Sequence, residues 1–270
     1  MDRPLVILDT ETANPRGAPH LLELGAVRVV DGEVVDTFES LVCPPIPIDP
    51  ESHAVHGISD EDVRNAPLAA DVVARFNEWV GEDWMAAHGA GFDSRNLAFE
   101  YARAASTPPP GVWLDSLALA VKHIPEARDH KLATLSKLLE LETDGSHRAL
   151  SDAVTCWKVI EECIERAGSL ETCKLAELLG ATRNKSLTIA GSLPGDARLS
   201  PRHRALTQAA REGEQVRIVY GDGELAPVPL DVIPRFLFER HKKSYLEAEC
   251  QQSGLLKTYL IERVQRVLTP

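Results

Sequence analysis

Apolar residues along the first 170 positions alternate between short strand-like runs and longer stretches of helical period. Residues 4–9 (PLVILD) are a short apolar run ending on an acid, which predicts a buried strand. Two extended stretches, 21–30 and 33–42, are separated by Asp31-Gly32, and that dipeptide between β-rich runs predicts a hairpin. Residues 43–50 (CPPIPIDP) read as a proline-rich loop. From Asp60 to Trp79 the period lengthens, and Val63, Val72, Val73 and Phe76 predict the apolar face of one helix. Trp84 to Ala87 is a further short strand candidate. A helix is expected from Asp93 to Ala105, stopped by Pro108-Pro109-Pro110, and Val112 to Asp115 reads as one more buried strand. Leu132, Leu135, Leu138 and Leu139 recur at helical spacing, as do Leu150, Ala153, Val154, Trp157, Ile160 and Ile164, ending at Gly168. The order is three antiparallel strands, then helix, strand, helix, strand and helices, an α/β layer arrangement.

Beyond residue 170 the pattern changes. Residues 171–200 read as a helical segment and linker, rich in Gly, Ser and Pro over 190–201. A helix is expected over 202–212. Short β-like stretches near 215–220, 228–233, 244–250 and 256–262 predict a small β-barrel over 201–270. Charge divides the chain at the same place. Residues 1–170 hold 14 Lys+Arg against 29 Asp+Glu, net -15, whereas residues 171–270 hold 15 against 12, net +3. Two domains with different partners are the expectation.

With 44% apolar and 26% charged residues the 270-residue chain has the composition of a soluble globular protein, not of a fibrous or disordered one. No apolar run approaches the roughly 20 residues of a membrane helix, so no membrane partner is expected. Five scattered cysteines suit a reducing cytoplasm, and MDRPLVILDTE, with acids flanking its apolar core, is unlike a secretory signal.

The candidate chemistry lies in the acidic part. Asp9 and Glu11 stand two apart at the end of the first strand, so their side chains project from one face. A divalent cation between them would relieve the repulsion of two carboxylates leaving a buried strand. Singly, the remaining candidates have ordinary readings. Asp93 is a helix N-cap, His147 a surface histidine, and Asp152 an acid in the first turn of a helix. His53 and His56, three apart, lack further metal-ligand partners nearby and read as loop packing.

Taken together, LDTET at 8–12, AHGAGFD at 87–93, LDSLALA at 114–120 and SHRALSDA at 146–153 resemble the motifs of the DEDDh exonucleases. That family includes the proofreading subunit of bacterial replicative polymerases and the oligoribonuclease and RNase T types. HGIS at 56–59 also follows the pattern. The resemblance covers about residues 4–168 and implies an RNase H-like mixed sheet flanked by helices over 1–170. It implies that Asp9, Glu11, Asp93 and Asp152 hold two Mg²⁺ or Mn²⁺ ions, with His147 as the general base acting on water. The activity implied is 3′–5′ hydrolysis of DNA or RNA to nucleoside 5′-monophosphates, and the alternatives are an RNA-specific exonuclease or a nucleotide-sensing accessory protein. A polymerase, helicase or other repair partner is a further expectation. Thr10, Thr12, His88 and Phe92 are the substrate-binding candidates, although core packing is the simpler reading of Phe92. The chain departs from the pattern at Gly89, where relatives often carry Asn, and at Ala13-Asn14, where Thr-Gly is common.

In the second part, VRIVYGDG at 216–223, VIPRFL at 232–237, SYLEAEC at 244–250 and LKTYLIERVQRV at 256–267 resemble the WYL domain, an SH3/Sm-like β-barrel. Ser244 stands where that family has Trp, and Ile261-Glu262 replace Leu-Asp. Lys257 and Arg263 fall where relatives carry basic ligand-contacting residues. Lys242 and Lys243 are candidates for nucleic-acid contact or, equally, solvated charges guarding a strand edge.

Overall fold

β1 (Leu5–Thr12), β2 (Leu21–Val30) and β3 (Glu33–Leu41) form an antiparallel meander. The β2–β3 turn places Asp31 and Gly32 at φ 51° and 90°, the left-handed pair that a tight hairpin turn demands. The computed structural model describes residues 1–141, 148–168, 173–181, 187–221 and 226–268. His147 lies outside them.

α1 (Pro50–His56), α2 (Asp60–Val63) and α3 (Ala69–Val80) follow. The single helix expected over 60–79 is therefore two. Pro67 disfavours the helical conformation at Ala66 and brings no N–H of its own, so the chain turns and restarts at Ala69. β4 (Trp84–Ala87) then pairs parallel with β1, and β5 (Trp113–Asp115) parallel with β4. α4 (Gly91–Arg103) joins those two strands, and α5 (Ser116–His123), α6 (Leu132–Leu138), α7 (Ala149–Ala167) and α8 (Leu175–Ala181) complete the unit. The sheet order is β3-β2-β1-β4-β5, a mixed sheet with β1 central.

The pleat of β1 sorts its side chains between two apolar layers. Val6 and Leu8 pack with Val72, Phe76, Leu97 and Tyr101 of α3 and α4. Leu5 and Ile7 pack with Leu119, Leu135, Trp157 and Ile160 of α5, α6 and α7. Continued along the strand, this alternation puts Thr10 on the α3–α4 face and Asp9 and Glu11 on the α7 face.

The chain divides into two units, Met1–Leu193 and Pro194–Pro270. Part of the stretch expected to act as a connector belongs to the first unit. Leu175 and Leu178 join the layer under α7, Ile189 is buried in the other layer, and the Trp113 N–H donates to Leu187 O at 2.9 Å.

The second unit holds α9 (Ala205–Glu212) and five strands: β6 (Val216–Tyr220), β7 (Val228–Arg240), β8 (Lys243–Cys250), β9 (Leu255–Leu260) and β10 (Val264–Leu268). All pair antiparallel in the order β10-β6-β7-β8-β9 around Leu206, Ile218, Val232, Leu246 and Val264. The strand expected over 228–233 runs on to Arg240. β10, which the short spacing of its apolar residues conceals, closes the series after a 3-10 turn at Ile261–Arg263. Among the described residues no helix is long and apolar enough to cross a membrane.

Candidate active site

Three carboxylates meet where β1 ends. One oxygen each from Asp9, Glu11 and Asp152 lie within 4.8 Å of one another, and all three residues are partly exposed. Strand alternation brings the first two to the α7 face, and Asp152 arrives from the first turn of α7. Among the described residues this is the one such group of potential metal ligands.

Asp93 approaches from the other helix. It is the third residue of α4, and its buried carboxylate accepts the Thr10 hydroxyl proton at 2.6 Å. Asn96 Nδ2 in turn donates to Thr10 Oγ1 at 2.9 Å. The simple capping role expected of Asp93 is not what it plays, since Ala90 occupies the cap position and no side chain bonds there. Asp93 stands outside the three-carboxylate group, yet its charge is felt by Asp9 and Glu11.

The electrostatics are those of crowded acids. Burial, then repulsion from Asp93, Glu11, Asp152 and Glu23, holds Asp9 well above the usual carboxylate range. Burial, then Asp152, Glu23 and Asp93, pushes Glu11 up to about 8, with Arg148 pulling the other way. Burial raises Asp93 too, against the hydrogen bond from Thr10. Such a group holds protons unless a cation replaces them. Its donors are all carboxylate oxygens, with no nitrogen or sulfur, which suits a hard divalent ion.

One residue missed by sequence reasoning borders this group. Glu23, fully buried on β2, pairs across the strands with Glu11, and its Oε1 accepts Arg148 Nε–H at 2.8 Å. Its only signal in the sequence is an acid inside the apolar run LLELGAV.

The substrate candidates fare differently. Phe92, expected in the core, is 51% exposed immediately beside Asp93, because the first turn of α4 turns its side chain outward. The Thr10 hydroxyl is consumed by Asp93 and Asn96. Thr12 is buried, and its hydroxyl donates to Asn14 O at 3.3 Å. His88 engages both ring nitrogens inside the protein, Nδ1 with Ser116 Oγ at 2.8 Å and Nε2 with His130 O at 2.6 Å. That leaves neither nitrogen for a substrate. Asp115 accepts the Gly89 N–H at 3.0 Å and the Leu117 N–H at 3.1 Å, tying the loop before α4 to the start of α5. His53 and His56 both turn Nδ1 to the backbone of Ile58.

In the second unit Lys242, Lys243, Lys257 and Arg263 are all exposed. Arg198, Arg217 and Arg235 are paired with Glu239, Asp231 and Glu249. Among the described residues, none of the four candidates is in an ion pair. The β7–β8 turn carries His241 and Lys242 at φ 50° and 63°, so two side-chain-bearing residues occupy the left-handed region at its tip.

This fold, with acids gathered at the end of its central strand, defines a class, the exonucleases. The chain matches the Exonuclease family over residues 6–160 and belongs to it, and residues 201–268 match the WYL domain. Over 166 residues it is 35% identical to the PolC-type DNA polymerase III of Oceanobacillus iheyensis, a match covering 60% of this chain and 12% of that protein. The chain thus spans about an eighth of the length of that relative. Among solved structures it is similar to Exonuclease X in complex with 5′ overhanging duplex DNA. There the identity is 30% and the TM-score 0.50, over 61% of this chain and 93% of the other. The nuclease domain of 3′hExo, a DEDDh family member bound to rAMP, shares the fold at 18% identity and a TM-score of 0.54, over 62% of this chain and 94% of that one.

Proposed function

We propose that the chain is a divalent-metal-dependent 3′–5′ exonuclease that releases nucleoside 5′-monophosphates from DNA or RNA. The observation that carries this reading is the convergence of Asp9, Glu11 and Asp152, with Asp93 held alongside, in a chain of the Exonuclease family. These four acids would hold two Mg²⁺ or Mn²⁺ ions, whose positive charge balances the negative charge of four ionised carboxylates. When bound, such ions neutralise charge on the scissile phosphate and make hydroxide accessible near neutral pH.

The chain's own groups do the rest. Asp9 and Glu11 present their carboxylates from a strand that β4 holds over Leu5–Ile7 and β2 holds as far as Thr12, so their spacing is set by the strand. Thr10 keeps Asp93 in one orientation. His147, adjacent in sequence to Arg148, takes a proton from the attacking water; the resemblance to DEDDh motifs supports this role. Phe92 offers an exposed ring next to Asp93 in the sequence on which a terminal base stacks, and Thr10 and Thr12, at the end of β1, are the further candidates for holding the terminal nucleotide. His88 supports the loop before α4 from within.

The second unit is read as an SH3/Sm-like WYL domain. A five-stranded meander whose last strand returns beside its first, with a 3-10 turn between the final two strands, supports this reading. Lys242, Lys243, Lys257 and Arg263 are its candidate nucleic-acid contacts.

The test is direct. Purified full-length chain with Mg²⁺ or Mn²⁺ should shorten 5′-labelled single strands and recessed duplexes from their 3′ ends, with mononucleotides as product. DNA and RNA arms separate the two substrates. His147→Ala should lower turnover by about 10²–10⁴-fold while metal binding persists. A wild-type chain that binds Mn²⁺ but hydrolyses neither polymer overturns the reading.

A further inference from the structure

We propose that Glu23 and Gly25 of β2, with Arg148, form the seat that fixes the first turn of α7 and thereby places Asp152 against Asp9 and Glu11. This rests on the metal-dependent reading above and makes Glu23 a positioning residue, not a fifth ligand.

The register supplies the first argument. Gly25 is the cross-strand partner of Asp9, and Glu23 that of Glu11. An E-x-G segment on β2 therefore lies beside the D-x-E segment of β1, with its side-chain positions facing the same layer.

The contacts supply the second. Glu23 Oε1 accepts Nε–H of Arg148 at 2.8 Å and a second N–H from its Nη2, while Oε2 accepts the Ala149 N–H at 3.0 Å. Arg148 is the cap residue of α7 and makes no side-chain cap bond. An arginine carries no acceptor with which to cap, so the carboxylate of Glu23, 125 residues away in sequence, takes over that task. The Arg148 carbonyl accepts the Asp152 N–H at 3.0 Å. One unbroken series of bonds thus runs from β2 through Arg148 to the residue bearing the third carboxylate.

Gly25 sets the distance. A Cβ there would lie 2.1 Å from Leu150 N and 2.3 Å from Ala149 C, so the helix backbone rests directly on the glycine. Any side chain at position 25 lifts the first turn of α7 off the sheet and carries Asp152 with it. Glu23 itself is kept out of the ligand set, because both its oxygens are engaged and Arg148 offsets its charge.

The experiment uses the full-length chain and Mn²⁺ alone as the probe, with Mn²⁺ affinity measured by calorimetry and the Mn²⁺ dependence of hydrolysis measured in parallel. Glu23→Gln should weaken Mn²⁺ binding by about 10- to 100-fold, and raised Mn²⁺ should restore most of the rate. Gly25→Ala, which removes no charge, should weaken Mn²⁺ binding in the same direction. A merely structural bridge would lower the melting temperature and leave Mn²⁺ affinity unchanged; that result in both variants overturns the proposal. Should either single variant fail to fold, the double variant Glu23→Gln/Arg148→Gln, which strands no buried charge, is read by the same criterion. Wild-type chain that binds Mn²⁺ without hydrolysing DNA or RNA defeats the exonuclease reading, while the seat is still judged by Mn²⁺ affinity in the variants.

Discussion

The Thr10 hydroxyl donates a hydrogen bond to Asp93 at 2.6 Å while accepting one from Asn96 Nδ2, so one buried hydroxyl ties the end of β1 to the first turns of α4. The direction of the chain is forced. Asn96 meets Thr10 through Nδ2, which can only donate, and this leaves the Thr10 proton for the carboxylate. Thr10→Val preserves shape and removes both bonds. The expected outcome is a loss of about 1–3 kcal/mol, from the stranded Asn96 amide and the lost donor, with Mn²⁺ affinity falling about 10-fold. Thermal melting and Mn²⁺ titration check it. Unchanged Mn²⁺ affinity would mean that Asp93 needs no such restraint.

Asp9→Ala, Glu11→Ala, Asp93→Ala and Asp152→Ala should each bring hydrolysis down by more than the 10–100-fold typical of residues that only support a ligand, to about background. Far-UV circular dichroism should show each variant folded. Full activity in any of them at ordinary Mg²⁺ removes that residue from the ligand set.

The pH dependence follows from the raised carboxyls. Glu11 at about 8, and Asp9 well above its usual range, hold protons in the folded chain that the unfolded chain releases above about pH 4–5. Their contribution to stability is therefore present in acid and lost as pH rises toward 8. Without metal the melting temperature should fall between pH 5 and 8, with Glu11→Gln flattening the slope. Divalent ions displace those protons, so Mn²⁺ should raise the melting temperature more at pH 8 than at pH 6. A metal-free melting temperature whose slope against pH is the same with and without Glu11→Gln would contradict the assignment.

Residues 1–170 are net -15 and repel a polyanion at long range. A chain ending at Leu193 should hydrolyse very short oligonucleotides at nearly the full rate but lose activity on long strands. Its rate should also depend less on salt, since phosphate contacts release counterions. Lys242→Ala/Lys243→Ala in the full chain should move part of the way. Identical salt slopes for the full and shortened chains would rule out tethering by the second unit.

The parts of this arrangement legible in the sequence are local ones. Asp31-Gly32 announces its hairpin, the run into Asp9 announces β1, and the spacing from Leu150 to Ile164 gives α7 almost to the residue. D-x-E is readable because strand alternation alone fixes its geometry. Glu23 was hidden because its partner lies 125 residues on, and no period links a strand acid to a distant helix cap. The exposure of Phe92 is not legible, because an aromatic beside a buried acid looks like core until the helix phase is known. The break at Pro67 shows a turn overriding an otherwise continuous apolar period.

The placement of β1 has a consequence for synthesis. The first strand made becomes the middle of the sheet, and α7, which covers Leu5 and Ile7 and delivers Asp152, is made more than a hundred residues later. A nascent or clipped chain ending before Ala149 carries Asp9, Glu11 and Asp93 but lacks both the third carboxylate and the part of the cover over that apolar face that Trp157, Ile160 and Ile164 supply. Nuclease competence and protection from aggregation thus arrive in a single late step.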